Sequence, residues 1–213
     1  MNRAAERDAI VAHAQAAIDA GLSTGTSGNL SVRVDDGVLI TPSGVHPAEM
    51  TPDQICLVPV DGGEPDGPLR PSSEVPMHLA VYRATDAGAV VHTHPRYATA
   101  ISLTHDELPA VHYTINGLGG PVRVAPYATF GTEELAAHIA QALDGRSGAL
   151  LQNHGMITYG ATIRQAFERS VLLEWLAALY WRSLQIGTPK ILSDAELEAV
   201  REQARRLRYG APG

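Results

Sequence analysis

Three histidines stand in two short segments whose patterns could place imidazole rings around a metal ion. His92 and His94 lie two positions apart at the end of an apolar run, and His154 follows a second apolar run. Because alternate residues of a strand point to one face, we expect the first two rings to converge, as ligands of a borderline cation such as Zn²⁺ must. Each pattern alone is also typical of a half-buried structural histidine, so both interpretations stay open at this point.

A carboxylate lies at the start of a predicted helix over residues 74–84. Glu74 follows Ser72 and Ser73. On a structural interpretation one of the serines is the N-cap and Glu74 complements the helix dipole. On a chemical interpretation the carboxylate binds a metal, removes a proton, or does both in turn. His78 lies one helical turn after Glu74, so a role beyond the core stays open for it as well.

Three polar segments, 25–30, 41–44 and 72–73, offer hydroxyl and backbone N–H groups of the kind that can hold a phosphate without a lysine. Individually, each segment is also ordinary turn chemistry. No strand precedes the first segment and its glycine spacing is wrong for a dinucleotide-binding fingerprint. The chain's one lysine, Lys190, lies in a predicted linker between helices. For a reaction that needs an electron sink, this favours a metal over a lysine Schiff base.

The predicted elements that must position these groups mix short strands with interspersed helices. We expect helices over 3–20, 74–84, 96–102, 132–143, 163–186 and 194–208. We expect strands over 30–34 and 38–40 (a hairpin), 55–60, 87–92, 111–114, 122–125, 149–152 and 156–158. This pattern predicts an α/β or α+β sandwich built on one sheet.

Composition limits the function further. The chain has 213 residues and 22.6 kDa, with 45% hydrophobic and 18% charged residues, as a globular domain requires. Its net charge of −7 disfavours nucleic acid and anionic membranes as partners. No apolar run approaches the roughly 20 residues of a membrane span, and the N-terminus lacks a secretory signal pattern. A single cysteine, Cys56, fits a reducing compartment. We therefore expect a cytoplasmic protein.

Six segments, taken in order, resemble the class II aldolase and adducin family. They are GTSGNLSVR, ITPSG, SSEVPMHLAVYR, AVVHTHPRYATA, APYATFGT and LLQNHGMITYG, and they spread from about residue 25 to residue 160. The resemblance implies one catalytic domain over residues 1–213, with a three-layer α/β/α fold and a mixed, largely antiparallel central sheet. It also implies a homotetramer with active sites at subunit interfaces, a small phosphorylated sugar as substrate, and one Zn²⁺ per subunit, which Co²⁺ or Mn²⁺ could replace.

The resemblance implies roles residue by residue. His92, His94 and His154 would be metal ligands, and Glu74 the catalytic carboxylate, which also binds the metal in the empty enzyme. Tyr113 would protonate the product alkoxide from a neighbouring protomer. The residues expected to bind the substrate and its phosphate are Gly28, Asn29, Ser43, Gly44, Ser72, Ser73, Phe130 and, from the neighbouring protomer, Tyr209.

Glu74 and the segment 126–131 favour the aldolase branch of the family. Such an enzyme would reversibly cleave a ketose 1-phosphate, such as L-fuculose 1-phosphate, to dihydroxyacetone phosphate and an aldehyde through an enediolate stabilised by the metal. The alternatives are a pentulose-phosphate 4-epimerase, which usually has Asp in place of Glu74, or a sugar-phosphate dehydratase or decarboxylase with the same histidines. A non-catalytic adducin-like module typically lacks the three histidines.

Overall fold

The computed structural model describes residues 3–61 and 63–208. The strands are β1 (Asn29–Val34), β2 (Gly37–Ile40), β3 (Cys56–Val58), β4 (Ala89–Thr93), β5 (Glu107–Leu108), β6 (Val122–Ala125), β7 (Gly148–Leu151) and β8 (Gly155–Gly160). They form one sheet in the order β3-β2-β1-β4-β8-β7-β6-β5. Among these strands β6 and β7 pair in parallel, and the other neighbours pair antiparallel.

Helices cover both faces of the sheet. They are α1 (Ala4–Asp19), α2 (Val75–Ala84), α3 (Arg96–Ser102), α4 (Glu133–Ala142), α5 (Ile163–Ile186) and α6 (Asp194–Arg206). Alternate residues of β4 separate the two layers: Val90 packs with α2 and α4, and Val91 with α1 and α5. The predicted three-layer α/β/α fold with a mixed, largely antiparallel sheet is confirmed. None of the described helices is both long and apolar enough to cross a membrane.

Two local predictions were wrong. The segment 111–114 is not a strand, because the His112 side chain accepts a hydrogen bond from the Thr114 N–H (3.3 Å) and starts the 3-10 helix Tyr113–Leu118. Neither serine before α2 is its N-cap. The helix begins at Val75, so Glu74 takes the N-cap position, and the Ser72 hydroxyl accepts a hydrogen bond from the Glu74 N–H (3.2 Å). The two-residue strand β5 was not predicted, since so short a run carries no periodicity.

Candidate metal centre

The three imidazole rings come from neighbouring strand ends. His92 lies in β4 opposite Ile157 of β8, and His94 lies just beyond the end of β4. His154 belongs to the turn between β7 and β8, in which Asn153 has a left-handed backbone (φ 57°). The three ring centroids are separated by 4.7 to 4.8 Å. The pairing of β4 with β8 therefore brings together His94 and His154, which are 60 residues apart in the sequence.

Glu74 reaches the same point from the start of α2. Its Oε2 atom is 3.2 Å from Nε2 of His92, and its Oε1 atom is 3.2 Å from Nε2 of His154. One candidate ligand atom from each of Glu74, His92, His94 and His154 can be chosen so that all four lie within 4.8 Å of one another. Three imidazole nitrogens and one carboxylate oxygen form a donor set that suits Zn²⁺, and Co²⁺ or Mn²⁺ as well.

The polar contacts of the cluster fit a cation. Nδ1 of His92 lies 2.9 Å from the Met156 carbonyl oxygen, so its N–H donates there and the Nε2 lone pair faces the cluster. Nε2 of His94 is 2.8 Å from that same nitrogen. The buried Oε1 atom of Glu74 has no hydrogen-bond partner among the described residues. A cation between these atoms would satisfy all of them.

The ionisation of the site fits the same conclusion. Burial, together with the nearby charges of His92 and His154, lowers the pKa of His94 to about 3, so the ring is neutral as a ligand must be. Burial raises the pKa of the Glu74 carboxyl, but the neighbouring His92 and His154 rings and the hydrogen bond from Asn29 outweigh that effect. The net pKa of Glu74 lies well below its ordinary value, so the carboxylate is ionised.

Gly155 lies so close to the His94 ring and to the backbone of Thr93 that a side chain would not fit. A Cβ atom at this position would lie 2.5 Å from the Thr93 backbone oxygen and 2.7 Å from the His94 ring. A side chain there would force the ring or the strand to move. Gly155 was not among the predicted site residues, although its position directly after His154 is a signal that the sequence contains.

The predicted phosphate-binding segments lie side by side. The Ser72 N–H donates to the Thr41 carbonyl (3.1 Å), and the Ser43 N–H donates to the Arg70 carbonyl (2.9 Å), which joins segments 41–44 and 70–73. The Thr41 N–H donates to the Leu30 carbonyl (3.1 Å), which adds the segment that contains Gly28 and Asn29. Ser43, Gly44 and Ser73 are exposed, whereas Ser72 and Asn29 are buried.

Asn29 has contacts that the sequence analysis did not foresee. Its side-chain N–H donates to Oε2 of Glu74 (2.8 Å), and its Oδ1 atom lies 2.6 Å from Nε2 of His78. The side chain therefore belongs to the surroundings of the carboxylate, and a phosphate-binding role for Asn29 remains a prediction. The proximity of His78 to Glu74 along a helix was the sequence signal for this contact.

The three predicted aromatic residues occupy different positions. Phe130 is 62% exposed in the loop that ends at Gly131, where a Cβ atom would lie 2.8 Å from the Ser73 backbone oxygen. Tyr113 is 51% exposed and stacks on His112, and within the described residues no hydrogen bond or ring contact joins it to the four clustered residues of its own chain. Tyr209 lies outside the described residues.

The fold and the site together define an α/β/α protein with a candidate metal centre at the end of its central strands. Residues 8–181 match the family model described as "Class II Aldolase and Adducin N-terminal domain". The chain belongs to this class II aldolase and adducin family, as its motifs predicted.

Named relatives lie in the aldolase part of the family. The 5-methylthioribulose-1-phosphate/5-deoxyribulose-1-phosphate aldolase of Rhodospirillum rubrum is 43% identical over 204 residues, which cover 95% of this chain and 92% of that protein. The L-fuculose phosphate aldolase of Escherichia coli strain K12 is 44% identical and covers 86% of each chain. A solved structure of L-fuculose 1-phosphate aldolase superposes with a TM-score of 0.92 at 35% identity, covering 96% of this chain and 98% of that one.

Proposed function

We propose that the protein is a metal-dependent aldolase that reversibly cleaves a ketose 1-phosphate to dihydroxyacetone phosphate and an aldehyde. The observation that carries the proposal is the cluster of three imidazoles and one carboxylate, two of them buried and two half-buried, in a chain of this family. The relatives named as aldolases for L-fuculose phosphate and for 5-methylthioribulose 1-phosphate support this substrate class. They leave a choice between aldehydes that differ in their polar groups.

The chemistry divides between the ion and the side chains. A divalent cation held by His92, His94 and His154 would act as a Lewis acid and stabilise negative charge on the substrate's carbonyl oxygen. Glu74, ionised and within reach of the same space, would remove and return the proton at the hydroxymethyl carbon of dihydroxyacetone phosphate. The segments around Ser43 and Ser73 would hold the phosphate and orient the reacting end.

Tyr113 would act from a neighbouring protomer, in a homotetramer with shared active sites. Two observations support this placement. Tyr113 is half exposed and stacks on His112, which also contacts the 45% exposed Trp175, and among the described residues no hydrogen bond or ring contact joins Tyr113 to the metal cluster. In that position its phenol would protonate the alkoxide formed when the new bond is made. We propose a cytoplasmic location, as the composition predicts.

The first experiment is metal analysis of the purified protein together with a panel of phosphorylated sugars. We expect one Zn²⁺ per chain and release of dihydroxyacetone phosphate from L-fuculose 1-phosphate or 5-methylthioribulose 1-phosphate, with activity abolished by a chelator and restored by Zn²⁺, Co²⁺ or Mn²⁺. Ribulose 5-phosphate tests the epimerase alternative. Epimerisation of that sugar without triose phosphate release from any ketose 1-phosphate would replace the aldolase proposal with an epimerase.

Two substitutions separate the roles in the cluster. Glu74→Gln should keep the metal and lose about 10²- to 10⁴-fold in kcat, the range for a positioned base. His94→Ala should lose the metal itself, measured by elemental analysis after dialysis. His105→Ala is the matched control, because His105 contacts Thr104 and Tyr180 and lies outside the cluster. Near-normal turnover in Glu74→Gln would remove Glu74 from the proton transfer.

A further inference from the structure

A continuous row of buried polar side chains leads from α2 through β1 to Glu74. The Tyr82 hydroxyl lies 2.8 Å from Oγ of Ser31, which lies 2.6 Å from Nδ1 of His78. Nε2 of His78 lies 2.6 Å from Oδ1 of Asn29, whose side-chain N–H donates to Glu74 at 2.8 Å. All five residues are at most 6% exposed. The proposed chemistry uses the last member and leaves the rest unexplained.

The regular spacing of the two elements produces this row. Residues that share a face of β1 recur every two positions, roughly 6.6 Å apart. Residues that share a side of α2 recur every four positions, roughly 6 Å apart. The similar spacing places residues 29 and 31 of the strand next to residues 74, 78 and 82, of which the first precedes the helix and the other two lie in it. The polar groups interleave as a consequence, within a layer that is otherwise apolar.

The hydrogen bonds of the row run in one direction. The ionised Glu74 carboxylate can only accept, so the Asn29 amide turns its N–H toward it and its Oδ1 toward His78. An acceptor at that position requires a donor, which is the Nε2–H group of His78.

The second ring nitrogen of His78 and the two hydroxyls complete the row. In a ring that is 1% exposed and holds a single proton, that proton lies on Nε2, so Nδ1 accepts from the Ser31 hydroxyl. That hydroxyl in turn accepts from the Tyr82 hydroxyl. Every donor in the row points toward Glu74.

We propose that His78 is a positioning residue: its Nε2–H group fixes the Asn29 amide so that the Asn29 N–H holds the Glu74 carboxylate in the orientation for proton transfer. Without that donor the amide is free to rotate and present its oxygen to Glu74, which sets two acceptors against each other. The carboxylate would then lose a charge-assisted hydrogen bond and sample other orientations. This inference rests on the proposed function, in which Glu74 moves the proton.

The first test is independent of activity. In protein labelled with ¹⁵N-histidine and saturated with Zn²⁺, long-range proton–nitrogen correlation spectra report which ring nitrogen carries the proton. The signals that disappear in His78→Gln identify His78 among the nine histidines. We expect a neutral ring with the proton on Nε2. An Nε2 atom without a proton would overturn the inference even if the protein proves to be an aldolase.

The second test compares two amide substitutions. The amide N–H of His78→Gln can reach the place of Nε2, whereas that of His78→Asn reaches only the place of Nδ1. We expect kcat of His78→Gln to stay within about threefold of wild type, against a loss of about 10- to 100-fold for His78→Asn, the range for partners that orient a metal ligand. KM and melting temperature should differ little between the two variants.

The outcomes are distinct. Equal kcat in the Gln and Asn variants would contradict the positioning role, as would a loss that follows melting temperature alone. If no ketose phosphate is cleaved by the wild-type protein, the proposed function fails, and the nitrogen spectra still decide whether His78 donates to Asn29.

Discussion

The position of the His94 ring depends on Gly155, which has no side chain to push the ring away. The four clustered residues could be predicted from their types and from the order of their motifs, because patterns such as His-x-His and Asn-His-Gly can be read directly from the sequence. The contact between Gly155 and His94 could not be predicted, because it depends on β4 lying beside β8. The direction of the Asn29 side chain could not be predicted either, since both a phosphate and a carboxylate are plausible partners for an amide.

Gly155→Ala should therefore weaken the candidate metal centre without touching a ligand. The added methyl group collides with the Thr93 backbone oxygen and the His94 ring, and the backbone cannot yield as a side-chain tip could. We expect metal affinity to fall about 10- to 100-fold and the free energy of unfolding to fall by about 1–3 kcal/mol. Competition with a chromogenic chelator and denaturant titration measure the two effects.

Gly187→Ala is the matched control, because a Cβ atom there meets no heavy atom within 4 Å. Equal metal affinity in the two alanine variants would mean that the His94 ring has more freedom than this close packing allows.

At the scale of elements, the predicted helix starts were right where a side chain caps the first turn. The side chains of Thr162 and Ser193 accept hydrogen bonds from the N–H groups of Gln165 and Glu196, and α5 and α6 begin where the sequence predicted. The segment 111–114 misled because valine, tyrosine and threonine favour strands in general. In this segment two features favour a 3-10 helix: the hydrogen bond that the His112 side chain accepts from the Thr114 N–H, and the burial of Ile115 and Leu118, which are three residues apart.

The start of α3 depends on a side chain that no local pattern reveals. Pro95 takes the N-cap position and has no side-chain acceptor. Instead the Glu174 carboxylate, from α5, accepts hydrogen bonds from the N–H groups of Tyr97 (3.0 Å) and Ala98 (2.8 Å). Burial raises the pKa of Glu174, and these two bonds partly offset that effect. Because α3 begins two residues after His94, Glu174 ties a long helix to the candidate metal centre.

We expect Glu174→Ala to lower the free energy of unfolding by about 1–3 kcal/mol, since two N–H groups at a helix start lose a charged acceptor. Metal affinity should fall as well, because the segment that carries His94 loses its anchor. Thermal or denaturant unfolding and metal competition are the measurements. Glu168→Ala, an exposed position on the same helix, should change stability by no more than about 0.5 kcal/mol. Unchanged metal affinity in Glu174→Ala would show that α3 can fray without moving His94.

At the scale of the whole molecule, the proposal divides the active site: one chain holds the candidate metal centre, and the proton donor Tyr113 would come from another. Half-exposed aromatic side chains of Tyr113 and Trp175, together with His112 between them, form a surface that shares no hydrogen bond or ring contact with the cluster among the described residues. A site divided in this way predicts that catalysis depends on which chains assemble together. Neither the sequence nor the fold of a single chain tests that dependence, because both describe one protomer.

Mixed oligomers would test it. When expressed alone, Glu74→Gln chains and Tyr113→Phe chains should each lose about 10²-fold or more of the wild-type activity. Co-expressed with different tags and purified as hybrids, they should recover about a quarter of wild-type activity, because in a random closed assembly about one site in four combines an intact Glu74 with a neighbour's intact Tyr113. Hybrids of Glu74→Gln with His94→Ala are the control and should recover nothing, since both residues serve the same half of a site. Recovery in that control, or none in the first hybrid, would place Tyr113 outside a shared active site.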